Sequence, residues 1–316
     1  MAEPDFSAIN QAVSRSGAAW TAGQTSMSRY FGSIAEASQR FGLAFDPQAA
    51  KEVVRTARQN EPNLFAFVPL PPRLDWRKVN GKNYVTPIRD QSTCGACVAF
   101  ATNAVLEARY LLASSQPGQD FDLSEAHLFY CGVDNACGRG WIYEEALAFA
   151  QKTGIGLEQD FPYTPGNQAC RKISPFMKVK SWTENASRTA RKRALQRGPV
   201  IGGMQVFEDF MTYQSGTYES VLGEFLGWHA VAIIGYDDDE QCWIGKNSWG
   251  EGWGENGFFR ISYGQCSIDS KVLFYDPDIE ILNLTVAEER PKALTAPRRR
   301  KPKPNKTKPN KTKPKT

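Results

Sequence analysis

The sequence has 316 residues, of which 41% are hydrophobic and 12% aromatic, enough for the core of one large domain or two smaller ones. It has no run of about 18–20 apolar residues, which excludes a membrane-spanning helix, and its start shows no signal peptide. Subtracting the twelve Lys and Arg that follow from Arg290 onward from the net charge of +4 leaves −8 for the preceding chain. The main body is therefore not expected to carry a basic groove for nucleic acid.

Residues 1–70 are expected to form an N-terminal helical segment. Asp46 and Pro47 open the stretch QAAKEVVRTARQN, which predicts a capped, amphipathic helix. Residues 25–40 could form another helix. Four prolines between positions 62 and 72 predict an extended linker to the main body.

Residues 71–288 form the expected main body, and residues 289–316 a tail. In the body, helix patterns come first and strand patterns later, which indicates an α+β layout with two lobes. The tail repeats NKTKP and cannot bury a core, so it is expected to be disordered. It is expected either to bind an anionic partner weakly or to act as a solubilising extension. The predicted helices are 97–115 and 124–131, and the predicted strands are 229–237, 242–249 and 257–263.

Cys97 is the strongest candidate for chemistry. It begins an apolar helix, where the helix dipole favours the thiolate and lowers the thiol pKa. A thiolate nucleophile needs a group that returns a proton to the leaving amine, and an imidazole does this. The sequence has only two histidines, and His229 begins an apolar strand, whereas His127 lies in a helix pattern and is expected to be structural or exposed. Taken alone, Cys97 could also be a buried structural cysteine.

Several motifs accompany Cys97 and His229 in a fixed order, and with them residues 71–275 resemble the papain and cathepsin family of cysteine proteases. The resemblance implies a papain-like two-lobed fold with the active site in the cleft between a helical lobe, which carries Cys97, and a β-barrel-like lobe, which carries His229. The motifs are Asp75-Trp76-Arg77, Val85-Thr86-Pro87, Cys94-Gly95-Ala96-Cys97, Leu123-Ser124-Glu125, Gly198-Pro199-Val200 and the stretch from Lys246 to Gly257.

The same resemblance implies roles for three further residues and for the backbone of Cys97. Gln91 and the backbone N–H of Cys97 would stabilise the oxyanion, Asn247 would hold the His229 ring, and Trp249 would shield that hydrogen bond from water. The implied reaction is hydrolysis of peptide bonds through an acyl-thioester, with protein or peptide substrates, no metal or organic cofactor, and a monomer. The alternatives are a non-proteolytic thiol acyl transfer, such as deamidation or transpeptidation, and a non-catalytic binding protein of the same fold.

The seven cysteines leave at least one thiol free. The resemblance pairs Cys94 with Cys137 and Cys131 with Cys170, and it leaves Cys242 and Cys266 without partners. Disulfides favour an oxidising or secreted setting, although no signal peptide is visible.

Four positions depart from the family pattern. Val98 stands where the family usually has Trp. In the stretch that usually reads Asn-Gly-Gly, Gly140 keeps one place for the substrate backbone, and Arg139 either narrows the cleft or points to solvent. Lys271 aligns with the floor of the pocket for the second residue before the scissile bond, so we expect an acidic side chain to be accepted there unless Lys271 lies on the surface. Trp228 replaces the usual Asp or Asn before the histidine.

Residues 1–70 stand where family members commonly carry an inhibitory propeptide, although the segment is short and lacks the usual helical motif. We expect it to cover the cleft. The alternative is a helical appendage that stabilises the fold or docks a partner.

Overall fold

The computed structural model describes residues 4–61, 69–134 and 136–282. Helices dominate the first half of this part of the chain and strands the second, as predicted. The α-helices are α1 (Phe6–Ser16), α2 (Ile34–Ser38), α3 (Pro47–Asn60), α4 (Cys97–Ala113), α5 (Glu125–Gly132), α6 (Ala136–Arg139), α7 (Tyr143–Lys152) and α8 (Arg188–Leu195). The strands are β1 (Ala19–Ala22), β2 (Arg73–Asp75), β3 (Met177–Asn185), β4 (Val200–Phe207), β5 (Tyr213–Tyr218), β6 (Phe225–Asp237), β7 (Cys242–Lys246), β8 (Phe258–Ser262) and β9 (Phe274–Ile281).

Helix α4 is the centre of the helical lobe. It is apolar on nearly every side because α5, α7 and strand β6 all pack against it. Two disulfides hold the surrounding loops, and they join Cys94 to Cys137 and Cys131 to Cys170, which confirms the predicted pairing. Helix α5 begins after Ser124, whose hydroxyl accepts a hydrogen bond from the third backbone N–H beyond it.

The strands form one sheet in the order β1-β5-β8-β7-β6-β4-β9-β3, with β2 paired to β6. Strand β6 is its longest member and pairs antiparallel with β2, β4 and β7. Side chains of the sheet and of the segments packed on it form a core rich in aromatic residues, including Trp243, Trp253 and Phe210. The sheet therefore gives β6, which carries His229, a rigid support next to α4.

The N-terminal segment is part of this core. Strand β1 pairs antiparallel with β5 and so extends the sheet. The Trp20 ring lies 5.1 Å from the Tyr218 ring and 6.2 Å from the Tyr213 ring, measured between centroids. Ile9 and Val13 of α1 are buried in the same cluster. Removing this part of the chain would expose core surface.

Two predicted elements can be compared with the structure in this segment. The helix after Asp46 is confirmed as α3, with the Asp46 carboxylate accepting the Gln48 N–H at 2.8 Å and Pro47 in the first turn. The helix suggested for 25–40 is wrong. Gly32, at φ +75°, separates a 3-10 turn at Ser28–Tyr30 from the five-residue helix α2.

Other predictions fall at the limits of the described residues. The strand predicted for 242–249 ends at Lys246, and Asn247 to Trp249 continue as a loop. Most of the predicted linker, residues 62–68, and the predicted tail at 289–316 lie outside the described residues. Of the helices described, none has the length and apolar character needed to cross a bilayer.

Candidate active site

Cys97 is the first residue of α4 and is fully buried. Backbone N–H groups of Ala230, Gly42 and Val98 face its thiol and favour the thiolate, yet burial outweighs them and raises the pKa of Cys97 to about 11. The expectation of a lowered thiol pKa is therefore wrong for this state of the protein. The physical reason is the N-terminal segment, whose Gly42 backbone lies over the thiol and excludes water.

His229 reaches the same place from β6. Its neighbour Ala230 places an N–H at the Cys97 thiol, so the strand passes directly beside the start of α4. The His229 Nε2 lies 2.8 Å from Asn247 Oδ1, and the buried Nδ1 has no hydrogen-bond partner. An amide oxygen accepts, so Nε2 carries the proton and Nδ1 keeps a free lone pair. Burial lowers the pKa of His229 to about 4, and the hydrogen bond that His229 donates to Asn247 only partly opposes this.

Trp249 covers the pair formed by His229 and Asn247. Its ring centroid lies 4.8 Å from that of the imidazole, tilted by 33°. The Asn247 side chain is also fixed from the other side, because its Oδ1 accepts the Ser248 N–H at 2.8 Å. A dry environment strengthens the hydrogen bond that orients the ring.

Gln91 is fully buried, and its amide is held in one orientation. The Ser248 hydroxyl donates to Gln91 Oε1 at 2.6 Å, which leaves Nε2 to donate to the carbonyls of Cys94, at 2.8 Å, and Arg40, at 2.9 Å. Ser248 has no role in the prediction from sequence. Its position between Asn247 and Trp249, inside the longest motif, was the available signal.

A buried ionic cluster supports the loop of Asn247 from below. Lys246 Nζ donates to Thr86 Oγ1 at 2.9 Å, and that hydroxyl donates to Glu107 Oε2 at 2.5 Å. Glu107 lies in α4, and burial raises its pKa to about 7. Its carboxylate lies within 4.8 Å of those of Asp122 and Glu125. Lys246 already provides the cation beside these carboxylates, so they do not present an open metal site. The cluster instead links Lys246, next to Asn247, to Glu107 of α4.

The N-terminal segment crosses the site at residues 40–45, which we call the strap. Both walls of the cleft bind its backbone. The Trp141 N–H donates to Gly42 O at 2.7 Å, the Ala44 N–H to Trp141 O at 2.9 Å, and the Leu43 N–H to Trp228 O at 3.3 Å. Gly140, at φ +68°, lets this approach happen, because a Cβ there would stand 2.3 Å from Gly42 O.

The side chains of the strap fill the cleft. Phe41 lies edge to face on His229, with ring centroids 5.9 Å apart, and on Trp249, at 6.0 Å. Leu43 borders a cavity of about 180 Å³ whose other walls include Tyr143, Glu144 and Lys271.

The remaining predicted residues have clear positions. Lys271 lines the cavity beside Leu43, Trp228 is buried at 8% exposure, and Arg139 is exposed at the end of α6. His127 is buried, and its Nδ1 accepts the Gly156 N–H at 3.1 Å, so it is structural. Cys242 and Cys266 are unpaired, as predicted, and both are buried.

Comparisons with known proteins agree with this arrangement. The family model described as papain family cysteine protease matches residues 70–275. Cysteine proteinase 1 of Entamoeba histolytica is 34% identical over 218 residues, which cover 65% of this chain and 68% of that protein. Pro-cathepsin H of Mus musculus is 34% identical over 210 residues, covering 62% of each chain. The solved structure of digestive procathepsin L 3 from the Tenebrio molitor larval midgut has a TM-score of 0.68 at 23% identity, over 86% of this chain and 87% of that one.

The chain belongs to the papain family of cysteine proteases and is a cysteine endopeptidase, a hydrolase with the papain-like α+β fold that the sequence predicts. The comparisons give no support to the acyl-transfer and non-catalytic alternatives.

Proposed function

We propose that this protein hydrolyses peptide bonds with Cys97 as nucleophile and His229 as general base and then general acid. One observation carries the assignment. His229 has one ring nitrogen bound to Asn247 and the other free and buried, on a strand that touches the Cys97 thiol through Ala230. A thiol nucleophile loses its proton to a base with a free lone pair, and the free Nδ1 of His229 supports that role.

The steps follow from this geometry. His229 Nδ1 takes the thiol proton, and Cys97 Sγ attacks the peptide carbonyl carbon. The negative oxygen is stabilised by the Gln91 Nε2–H and the Cys97 backbone N–H. When the C–N bond breaks, the amine leaves with the proton from His229, and an acyl-thioester remains. A water molecule then attacks the thioester carbonyl carbon and gives one proton to Nδ1. The C–S bond breaks, the acid leaves, and the thiolate takes the proton back from Nδ1.

We further propose that residues 1–70 hold the enzyme inactive as a zymogen. Arg40 O occupies the Gln91 amide, Phe41 covers the imidazole, and Gly42 lies on the thiol. Under this cover Cys97 and His229 both have pKa values that favour their neutral forms. Removing the strap admits water and makes the thiolate–imidazolium pair less costly.

The substrate pocket is proposed to be the cavity that Leu43 borders. Lys271 lines it and is expected to accept an acidic side chain there, while Tyr143 supplies apolar surface. Glu144 lies in the same wall, and its carboxylate accepts the Tyr275 hydroxyl. A peptide-library profile that accepts only bulky apolar side chains in this pocket would contradict the proposed role of Lys271.

The test uses the full chain carrying Gly42→Ala, which lifts the strap off the thiol. It combines labelling with an epoxide-type thiol-protease inhibitor and mass analysis of the products from an unmodified peptide. We expect label on Cys97, none in Cys97→Ala, and two fragments whose masses add one water. Deamidated or ligated products would contradict hydrolysis. Label on Cys97 that persists at an equal rate in His229→Ala would contradict the role of the imidazole.

A further inference from the structure

A row of aromatic side chains runs along the cleft wall beside His229. The rings of Phe207 and Phe225 lie edge to face, with centroids 5.9 Å apart, and those of Phe225 and Trp228 at 6.2 Å. Trp228 directly precedes His229 on β6, so the row ends one residue from the imidazole, with the two side chains on opposite faces of the strand. Phe225 is 43% exposed, an unusual exposure for a large aromatic side chain.

The strap supplies a fourth ring to the row. The Phe45 ring lies 3.9 Å from that of Trp228, tilted by 36°, and the Leu43 N–H donates to the Trp228 carbonyl at 3.3 Å. Backbone and side chain of the strap thus bind the same residue. When the strap leaves, the face of Trp228 that Phe45 now covers becomes accessible to a substrate.

This place adjoins the pocket described above. Phe45 borders the Leu43 cavity together with Tyr143 and Lys271, whereas Trp228 is not among the cavity's lining residues in the described chain. Phe45 stands three residues beyond Gly42, the residue that lies on the Cys97 thiol. A peptide held along the same walls would therefore bring a side chain to Trp228 at about three residues from the one over the thiol.

We propose that Trp228, with Phe225 beside it, forms a stacking subsite that selects an aromatic side chain of the substrate. This inference rests on the proposed hydrolysis at Cys97. Tilted and edge-to-face contacts between rings stabilise a complex beyond what burial of apolar area gives. The indole is rigid and lies against a strand, so little freedom is lost when a second ring stacks on it. The expected consequence is a preference for Phe over Leu of about tenfold in kcat/KM at one substrate position.

The experiment uses the full chain under conditions in which Cys97 reacts with an epoxide inhibitor. The substrates are internally quenched octapeptides that carry Phe, Leu or Lys at one position at a time. We expect one position at which Phe exceeds Leu about tenfold. Trp228→Ala should bring this ratio close to one, and Trp228→Phe should keep part of it. Trp182→Ala, the same change on β3, should leave the ratio unaltered.

The outcomes separate the inference from the function on which it rests. A ratio near one at every position, or one that survives in Trp228→Ala, overturns the subsite while hydrolysis stands. A preference for Lys over Phe that depends on Trp228 also overturns it, since it would indicate recognition of a cation by the ring. If untreated protein from the same preparation, whose Cys97 reacts with the epoxide, hydrolyses none of the peptides, the proposed function is wrong and the subsite falls with it.

Discussion

Replacing Gly42 with alanine is expected to lift the strap off Cys97. A Cβ at position 42 would stand 1.7 Å from Gly95 O, whereas ordinary contact begins near 3.4 Å. The strap must give way, because Gly95 follows a cysteine held in a disulfide. The movement breaks the three hydrogen bonds that residues 40–44 make with Gln91 and Trp141. At about 1 kcal/mol each, their loss raises the population of the open cleft by about 10²-fold.

The assay is the second-order rate at which an epoxide inhibitor labels Cys97, located by peptide mapping. Gly32→Ala is the matched control. It makes the same substitution in the same segment, where a Cβ meets no atom within 4 Å and only the φ of +75° strains the backbone, so it controls for strain away from the thiol. We expect labelling about 10²-fold faster in Gly42→Ala and nearly unchanged in Gly32→Ala. Equal rates in wild type and Gly42→Ala, with both proteins folded, would refute occlusion by the strap.

Three further predictions concern stability and catalysis. Trp20→Ala should lower the free energy of unfolding of the full chain by about 3–5 kcal/mol in urea titrations, and an unchanged midpoint would place the segment outside the core. Burial lowers the pKa of His229 from 6.5 to about 4, so between these pH values the unfolded chain takes up a proton that the folded chain does not. The free energy of unfolding is therefore unaffected by His229 above pH 6.5 and falls by about 3 kcal/mol as the pH is lowered to 4. A difference in stability between wild type and His229→Gln that does not vary with pH would contradict this. Gln91→Ala should reduce kcat about 10²–10³-fold in peptide hydrolysis, and a loss below about threefold would exclude Gln91 from the oxyanion site.

The catalytic residues could be predicted from the sequence, because the reaction requires particular residue types at these positions. Cys97 at a helix start, His229 at a strand start and the motif around Asn247 could be recognised because their order and spacing match a family pattern. The disulfides followed from the same pattern. The structure then brings Cys97 and His229 to one place through the packing of α4 against β6.

The strap could not be predicted in this way. Its path depends on backbone contacts of Gly42 and Gly140, which have no side chains to form a hydrophobic pattern. The same holds for β1, whose four residues gain their strand structure only by pairing with β5. The high thiol pKa of Cys97 also depends on this tertiary cover, so the local helix dipole gave the opposite expectation.

The central claim is that Cys97 carries the acyl group, and a rapid acid quench during peptide or ester turnover tests it most directly. Intact-mass and peptide-mapping analysis should find the acyl fragment on Cys97, and it should be absent from Cys97→Ala. The buried thiols Cys242 and Cys266 serve as internal controls. Turnover that proceeds in Cys97→Ala, or an acyl group found on Cys242 or Cys266 instead, would contradict the account.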